Sequence, residues 1–303
     1  MVRSPRSRTA TLVAACVLHQ AFAVAEPFPV AALPGTTLNA QIANYEPSDL
    51  VWHSRLQRLF SVTDGSAAVS ARVFSLTDAG TGLQFWEVAG DLEGIAVANP
   101  ATNFVYVGTE QPNQIKEFNF TTGLVSRTFD LDPWMTGAAG SGLEALTFVA
   151  DAGHPEGGTF YAGLQDGGVI YRFSLPILSS PTSTAVNYLG SFTPVPGRND
   201  LSGLDYVAGT GVLYAIYDGP NYLRAMTPAG SLLREWDLPG SNQEGVALRG
   251  NDLFIAQDSG DIVRYTPFAA VPEPGPLAAA AVALVAGLAW RRARGRQRTV
   301  ARK

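Results

Sequence analysis

Five phrases recur in register along this chain: EPSDLVW at 46–52, DLEGIAV at 91–97, GLEALTF at 142–148, NDLSGLDY at 199–206 and NQEGVAL at 242–248. Their aligned positions Ser48, Glu93, Glu144, Ser202 and Glu244 lie 45, 51, 58 and 42 residues apart. Each phrase reads as a short apolar strand. A polar turn follows, then a second strand rich in aromatic and β-branched residues, then an acidic turn. A third strand comes next (ARVFSL, QIKEFNF, GVIYRFSL, YLRAMTP, DIVRYTP), and most units add a fourth. Four short antiparallel strands per unit of this length is the pattern of a propeller blade. The expectation is an all-β fold, a β-propeller of five four-stranded blades, or six if the linkers hide one. A β-sandwich is the architectural alternative, but it leaves five phrases in register unexplained. The last unit stops after its third strand near Phe268. TTLNAQIA at 36–43 would supply its fourth strand, closing the ring by pairing the two ends of the domain and removing open sheet edges. Asp64-Gly65, Asp166-Gly167 and Asp218-Gly219 read as two-residue hairpin turns that need positive φ.

The ends do not belong to this domain, which is expected to span 36–268. Residues 1–25 carry three arginines, then TLVAACVL, then the small-residue run AFAVA, the order of a secretory signal peptide with cleavage after Ala25 or Ala23. VAAC, ending at Cys16, is the alternative as a lipoprotein box. Cys16 is the only cysteine, so disulfides cannot hold the exported part together. At the other end VPEP at 271–274 precedes the apolar run Leu277–Trp290, expected as one hydrophobic helix, and then seven basic residues. Residues 271–303 resemble a PEP-CTERM sorting signal. The resemblance implies an exosortase partner, a Gram-negative source, and a helix that is membrane-inserted before processing. A permanent single-span anchor is the alternative. The protein is thus expected to cross the inner membrane and reside in the cell envelope or outside it.

Between residues 26 and 271 there are 25 acidic and 11 basic side chains, a net charge of about −14, whereas the whole chain stands at −5. Such a surface repels nucleic acid and favours cations or basic partners. No basic patch interleaves with aromatics, so nucleic-acid binding is not expected.

The ordered set of five phrases resembles the SdiA-regulated family of exported β-propellers. The carrying feature is the alternation Ser48, Glu93, Glu144, Ser202, Glu244 at the start of successive units. The resemblance implies a propeller outside the cytoplasm, with room for a bound cation and no established reaction. The pattern breaks at Asp49 and Ala145, which stand where the other units have Gly94, Gly203 and Gly245.

In a propeller the first strand of each blade lines the channel, so Glu93, Glu144 and Glu244 should crowd one mouth. Asp200, just ahead of Ser202, would join them. Asp64, Glu110, Asp166, Asp218 and Asp258 should ring the same face further out, as ligand-facing groups or as turn formers. A pair of like charges ~4 Å apart costs about 4 kcal/mol at an effective dielectric of 20. Protonation, backbone N–H donors or a bound cation would relieve it. Oxygen ligands without histidine or cysteine point to Ca²⁺, or less readily Mg²⁺. The ion reading assigns Glu93, Glu144 and Glu244 as ligands, completed by Ser48, Ser202 and Asp200. The competing reading gives each glutamate a backbone N–H to accept from. Trp134, in the 130–142 linker, either stacks on a sugar or covers the core edge. His53 and His154 read as surface residues, and no catalytic residue is assigned. The function expected is a binding or scaffold module for extracellular polysaccharide or a matrix protein. The alternative is a metal-dependent hydrolase of esters, lactones or phosphoesters.

Overall fold

The structure, a computed structural model, describes residues 25–29, 38, 46–64, 70–138 and 140–268. A first short strand, β1, is Glu26–Pro27. Blade 1 comprises β2 (Pro47–His53), β3 (Arg58–Thr63), β4 (Arg72–Leu76) and β5 (Gln84–Glu87). Blade 2 comprises β6 (Leu92–Ala96), β7 (Phe104–Thr109), β8 (Gln114–Asn119) and β9 (Leu124–Asp130). Blade 3 comprises β10 (Leu143–Ala150), β11 (Gly158–Leu164), β12 (Val169–Ser174) and β13 (Asn187–Phe192). Blade 4 comprises β14 (Leu201–Val207), β15 (Val212–Tyr217), β16 (Tyr222–Met226) and β17 (Leu232–Asp237). Blade 5 begins with β18 (Gln243–Arg249), β19 (Asp252–Gln257) and β20 (Ile262–Tyr265). Each blade is an antiparallel meander in sequence order. The five-bladed propeller expected from the phrases is the observed fold.

The core is divided among five gaps between neighbouring blades. Ile95, Val107 and Phe118 of blade 2 meet Phe60, Val62 and Val73 of blade 1. Ile115, Phe129 and Tyr106 on the other face of blade 2 meet Leu146, Phe160 and Phe173 of blade 3. Blades 3 and 4 join through Tyr161, Ile170, Leu204 and Tyr217. Blades 4 and 5 join through Tyr214, Trp236, Val246 and Ile255. The fifth gap closes the ring, with Leu50, Leu59 and Phe74 of blade 1 packed on Phe254, Ala256 and Ile262 of blade 5. The inner strands therefore bury both faces, which is why they read as near-continuous apolar runs, while the outermost strands such as β5, β9 and β13 stay largely exposed.

Of the segment 36–43, Leu38 alone is described. It is buried in the blade 5–blade 1 gap, and its N–H donates to Ile262 O at 2.9 Å, on the free side of β20. The rest of the closing strand expected at 36–43 lies outside the described residues. A second clasp was not expected. β1 adds in parallel to the outer strand β17, with Glu26 opposite Trp236. Phe28 stacks on Phe268 at 5.8 Å and meets Tyr265 edge-on at 4.9 Å. β1 and Phe28 therefore pack on the propeller from ahead of residue 36. The expected signal peptide and Pro-Glu-Pro tail lie outside the described residues, within which no helix is long and apolar enough to cross a membrane.

The turn expectation is corrected in part. The connections from second to third strand at 165–168 and 218–221 have four residues rather than two. In the first, Gly167 does take a positive φ of 74°. In the second the left-handed residue is Asn221 (φ 63°), and Gly219 serves a different purpose. A Cβ there would lie 2.7 Å from Asp200 Oδ2, so glycine lets that carboxylate approach. Gly65 lies outside the described residues.

At the axis the inner strands nearly touch. A Cβ on Gly245 would sit 2.6 Å from Asp49 Cα, and one on Gly94 would sit 2.7 Å from Leu146 Cβ. Gly245→Ala should therefore cost about 1–3 kcal/mol through overpacking. At roughly 2–4 °C per kcal/mol, the melting temperature should fall by about 2–12 °C. Gly209→Ala, with nothing within 4 Å of the added carbon, should leave the melt unchanged. Equal melts for the two variants would contradict this account of the axis.

Candidate functional site

The serine or glutamate that recurs in each phrase has a structural meaning that spacing alone did not reveal. In all five inner strands the register slips at one place: Pro47/Asp49, Leu92/Gly94, Leu143/Ala145, Leu201/Gly203 and Gln243/Gly245. The residue skipped each time is Ser48, Glu93, Glu144, Ser202 or Glu244. Each is a β-bulge, left without a partner on the second strand and free to turn its side chain out of the ladder. Five bulges at one level of the axis present two serines and three glutamates to one mouth. The small residue that follows each bulge permits the close strand approach at that level.

The three glutamates are half-buried and influence one another. Burial, then the charges of Glu93, Glu110 and Glu244, push the Glu144 carboxyl up to about 10. Burial also pushes Glu93 up to about 9, against the Ser48 hydroxyl, which donates to it, and with Asp91, Asp64 and Glu110 adding to the rise. Glu244 is pushed up to about 8 by burial and by the charges of Asp258, Asp218 and Asp200. None of these carboxylates, nor any acid of the outer ring, forms an ion pair among the described residues. The arginines are engaged elsewhere, as in Arg127–Glu117, Arg224–Glu235–Arg198 and the group Arg249, Arg264, Asp252 and Asp78.

The tightest grouping sits off the axis, at the border of blades 1 and 2. Asp64, Asp91 and Glu93 each offer a carboxylate oxygen, and these lie within 4.8 Å of one another. Asp91, absent from the sequence-based set, precedes β6 and also hydrogen-bonds with Glu110. Burial is the first cause holding Asp64 and Glu110 above the usual carboxylate range.

The other candidates are placed as follows. Ser202 donates to Gln243 O at 2.7 Å, so its hydroxyl hydrogen is directed at backbone. Asp200, in a left-handed conformation (φ 68°), stands beside Glu244 and Asp218. The outer ring largely braces neighbouring segments. Glu110 Oε1 accepts from Gly142 N (3.0 Å), Asp166 Oδ2 from Ala138 N (3.2 Å) and Asp218 Oδ1 from Gln243 N (2.9 Å). Asp258 Oδ2 accepts from Asn242 Nδ2 at 3.5 Å. Trp134 packs against Phe173 and stacks on Tyr188, centroids 5.9 and 6.1 Å apart, covering the edge of blade 3.

The histidine expectation is corrected at one position. His53 is fully buried at the far end of β2, between Phe60 and Phe120. Burial, helped by the Arg55 charge, depresses it to about 4, so it stays neutral. The misleading signal was its place beside a turn; the aromatic side chain of Phe120, from the next blade, covers it. His154 accepts from Glu156 N in the turn between β10 and β11.

Sequence reasoning also missed two buried aspartates in the inner strands. Asp49 Oδ1 accepts from Leu50 N (2.8 Å), while Oδ2 accepts from Ile95 N (2.9 Å) and Leu146 N (3.3 Å). Asp205 Oδ2 accepts from Leu248 N at 2.7 Å. Desolvation raises both, Asp205 to about 7. The break in the glycine pattern at Asp49 was the available signal.

No family model matches the chain, and no curated protein matches it. Among solved structures it is similar to a glutaminyl cyclase from Myxococcus xanthus, with 13% identity and a TM-score of 0.54 over 73% of this chain and 90% of that one. The Swd1 β-propeller domain of Myceliophteria thermophila shows 11% identity and a TM-score of 0.42 over 72% and 64%. A chain of a nidogen/laminin complex shows 14% and 0.46 over 70% and 72%. At such identity the likeness is one of fold.

The raised carboxyls fix a sign. An unfolded glutamate releases its proton near 4.5, whereas Glu244, Glu93 and Glu144 hold theirs to about 8, 9 and 10. Between those limits the folded chain binds more protons, so stability falls as pH rises. In chelator, thermal melts should drop by several degrees from pH 5 to pH 9, and Glu144→Gln should flatten that slope. A melt that rises with pH over this range would contradict the placement of these groups.

Proposed function

We propose that this chain is an exported binding or scaffold module that holds a Ca²⁺-like cation at its acidic mouth. The surrounding turns would be presented to an extracellular polysaccharide or matrix protein. The observation that supports it most is the set of five aligned bulges, which gather oxygen side chains at one opening with no arginine or lysine ion-paired to them among the described residues. Three carboxylate oxygens within 4.8 Å of one another suit a cation bound at about 2.4 Å, since opposed ligands then stand about 4.8 Å apart. Asp64, Asp91 and Glu93 are the leading ligands, with Ser48, Glu110 and Glu144 beside them. Glu244, Asp200 and Ser202 complete the mouth on the far side.

The leader at 1–25, the tail at 271–303 and the exosortase that would process it belong to the same reading. So does membership of the SdiA-regulated family. Residue order in the sequence is what supports these parts, together with passage to the envelope or beyond.

Carboxyls protonated near neutrality must lose protons to bind a cation, so affinity is linked to pH. The full chain, purified in detergent, should bind terbium and Ca²⁺ about tenfold or more tightly at pH 8 than at pH 6, one proton displaced giving tenfold per pH unit. Chelator should lower its melt at pH 8, and Glu93→Gln should weaken binding about tenfold or more. Absence of binding, with a melt indifferent to chelator, would overturn the ion. Turnover of an ester, lactone or phosphoester that Glu93→Gln abolishes would replace the binding module by a metal-dependent hydrolase.

A further inference from the structure

Four of the five residues that follow the bulges are Gly94, Ala145, Gly203 and Gly245, and the inner strands come together there closely enough to exclude most side chains. Blade 1 alone places a functional group at this level, the fully buried carboxylate of Asp49. Its own backbone is crowded by Gly245 and anchored by Ser61, whose hydroxyl donates to Asp49 O at 2.5 Å. The carboxylate then reaches across the axis, one oxygen accepting both Ile95 N of blade 2 and Leu146 N of blade 3. Those two N–H groups each lie two residues beyond a bulged glutamate, Glu93 and Glu144.

We infer that Asp49 is the positioning residue of the mouth, a single carboxylate that clamps the strands bearing Glu93 and Glu144 to each other and so sets the spacing of their side chains. This deepens the proposed function and rests on it for the identity of what the mouth holds. Leucine or alanine at position 49 would deprive three N–H groups, of Leu50, Ile95 and Leu146, of this acceptor. Asparagine presents one acceptor and one NH₂ group, and cannot satisfy all three donors. Asp205 supplies the internal control. It is a second buried strand-to-strand acceptor, but the strand it holds, through Leu248 N, belongs to blade 5 and carries Glu244 on the far side of the mouth rather than Glu93 or Glu144.

The test compares Asp49→Asn with Asp205→Asn in the full chain, using terbium as the probe and carbon NMR of the glutamate carboxyls in chelator at one fixed pH. Asp49→Asn should speed exchange of the Ile95 and Leu146 amides, shift the carboxyl resonances of Glu93 and Glu144, and weaken terbium binding about tenfold or more. Asp205→Asn should speed exchange at Leu248 and leave the Glu93 and Glu144 resonances near those of the parent. A folded Asp49→Asn protein with unmoved resonances and parental affinity would overturn the assignment. Equal effects from both substitutions would do the same. If Asp49→Asn does not fold, Ser61→Ala loosens the same residue from its carbonyl side, and the same readouts decide. A parent protein that binds no terbium would refute the ion but not the clamp, because the carboxyl resonances in chelator still report the spacing.

Discussion

The inner strands of this propeller meet at an axis too narrow for ordinary side chains, and the rest of the site follows from that restriction. A Cβ on Gly245 would fall within the backbone of Asp49, and one on Gly203 would come within 3.1 Å of Gly245 Cα. Such close approach is possible only with glycine or alanine at nearly every turn of the ring. The bulge just before each small residue places one unpaired side chain above the constriction. The closed axis and the loaded mouth are therefore two consequences of one five-fold backbone irregularity.

Charge is divided by face. On the outer strands and the opposite end, arginines form compact pairs with Glu117, Glu235 and Asp252. At the mouth, carboxylates face one another with backbone N–H groups and serines as their partners. Like charges at this spacing repel by several kcal/mol where water is partly excluded. The protein accepts that cost at one location while pairing the buried acids Glu117, Glu235 and Asp252 with arginines elsewhere.

Several residues were misread in sequence for a common reason: the neighbours that define them are distant in the chain, most of them in other blades. His53 looks like a turn-flanking surface residue until Phe120 of the next blade covers it. Gly219 looks like a turn glycine, yet it makes room for Asp200. Asp49 looks like a defect in a glycine pattern and proves to be an acceptor for two other blades. Asp91 has no motif of its own and gains meaning only beside Asp64 and Glu93. Each is defined by contacts between residues on different strands or blades, which no local pattern encodes.

The sequence alone determined the repeat, and with it the number of blades, their strand order and the level at which the glutamates would gather. Those properties follow from period and polarity, which are local. Only the tertiary structure decided that the repeated residue is a bulge, that the closest carboxylates lie off the axis, that β1 straps blade 4, and that Asp49 ties three blades together. These depend on how closely backbones approach across the ring, a distance set by packing in three dimensions and not by the order of residues within a blade.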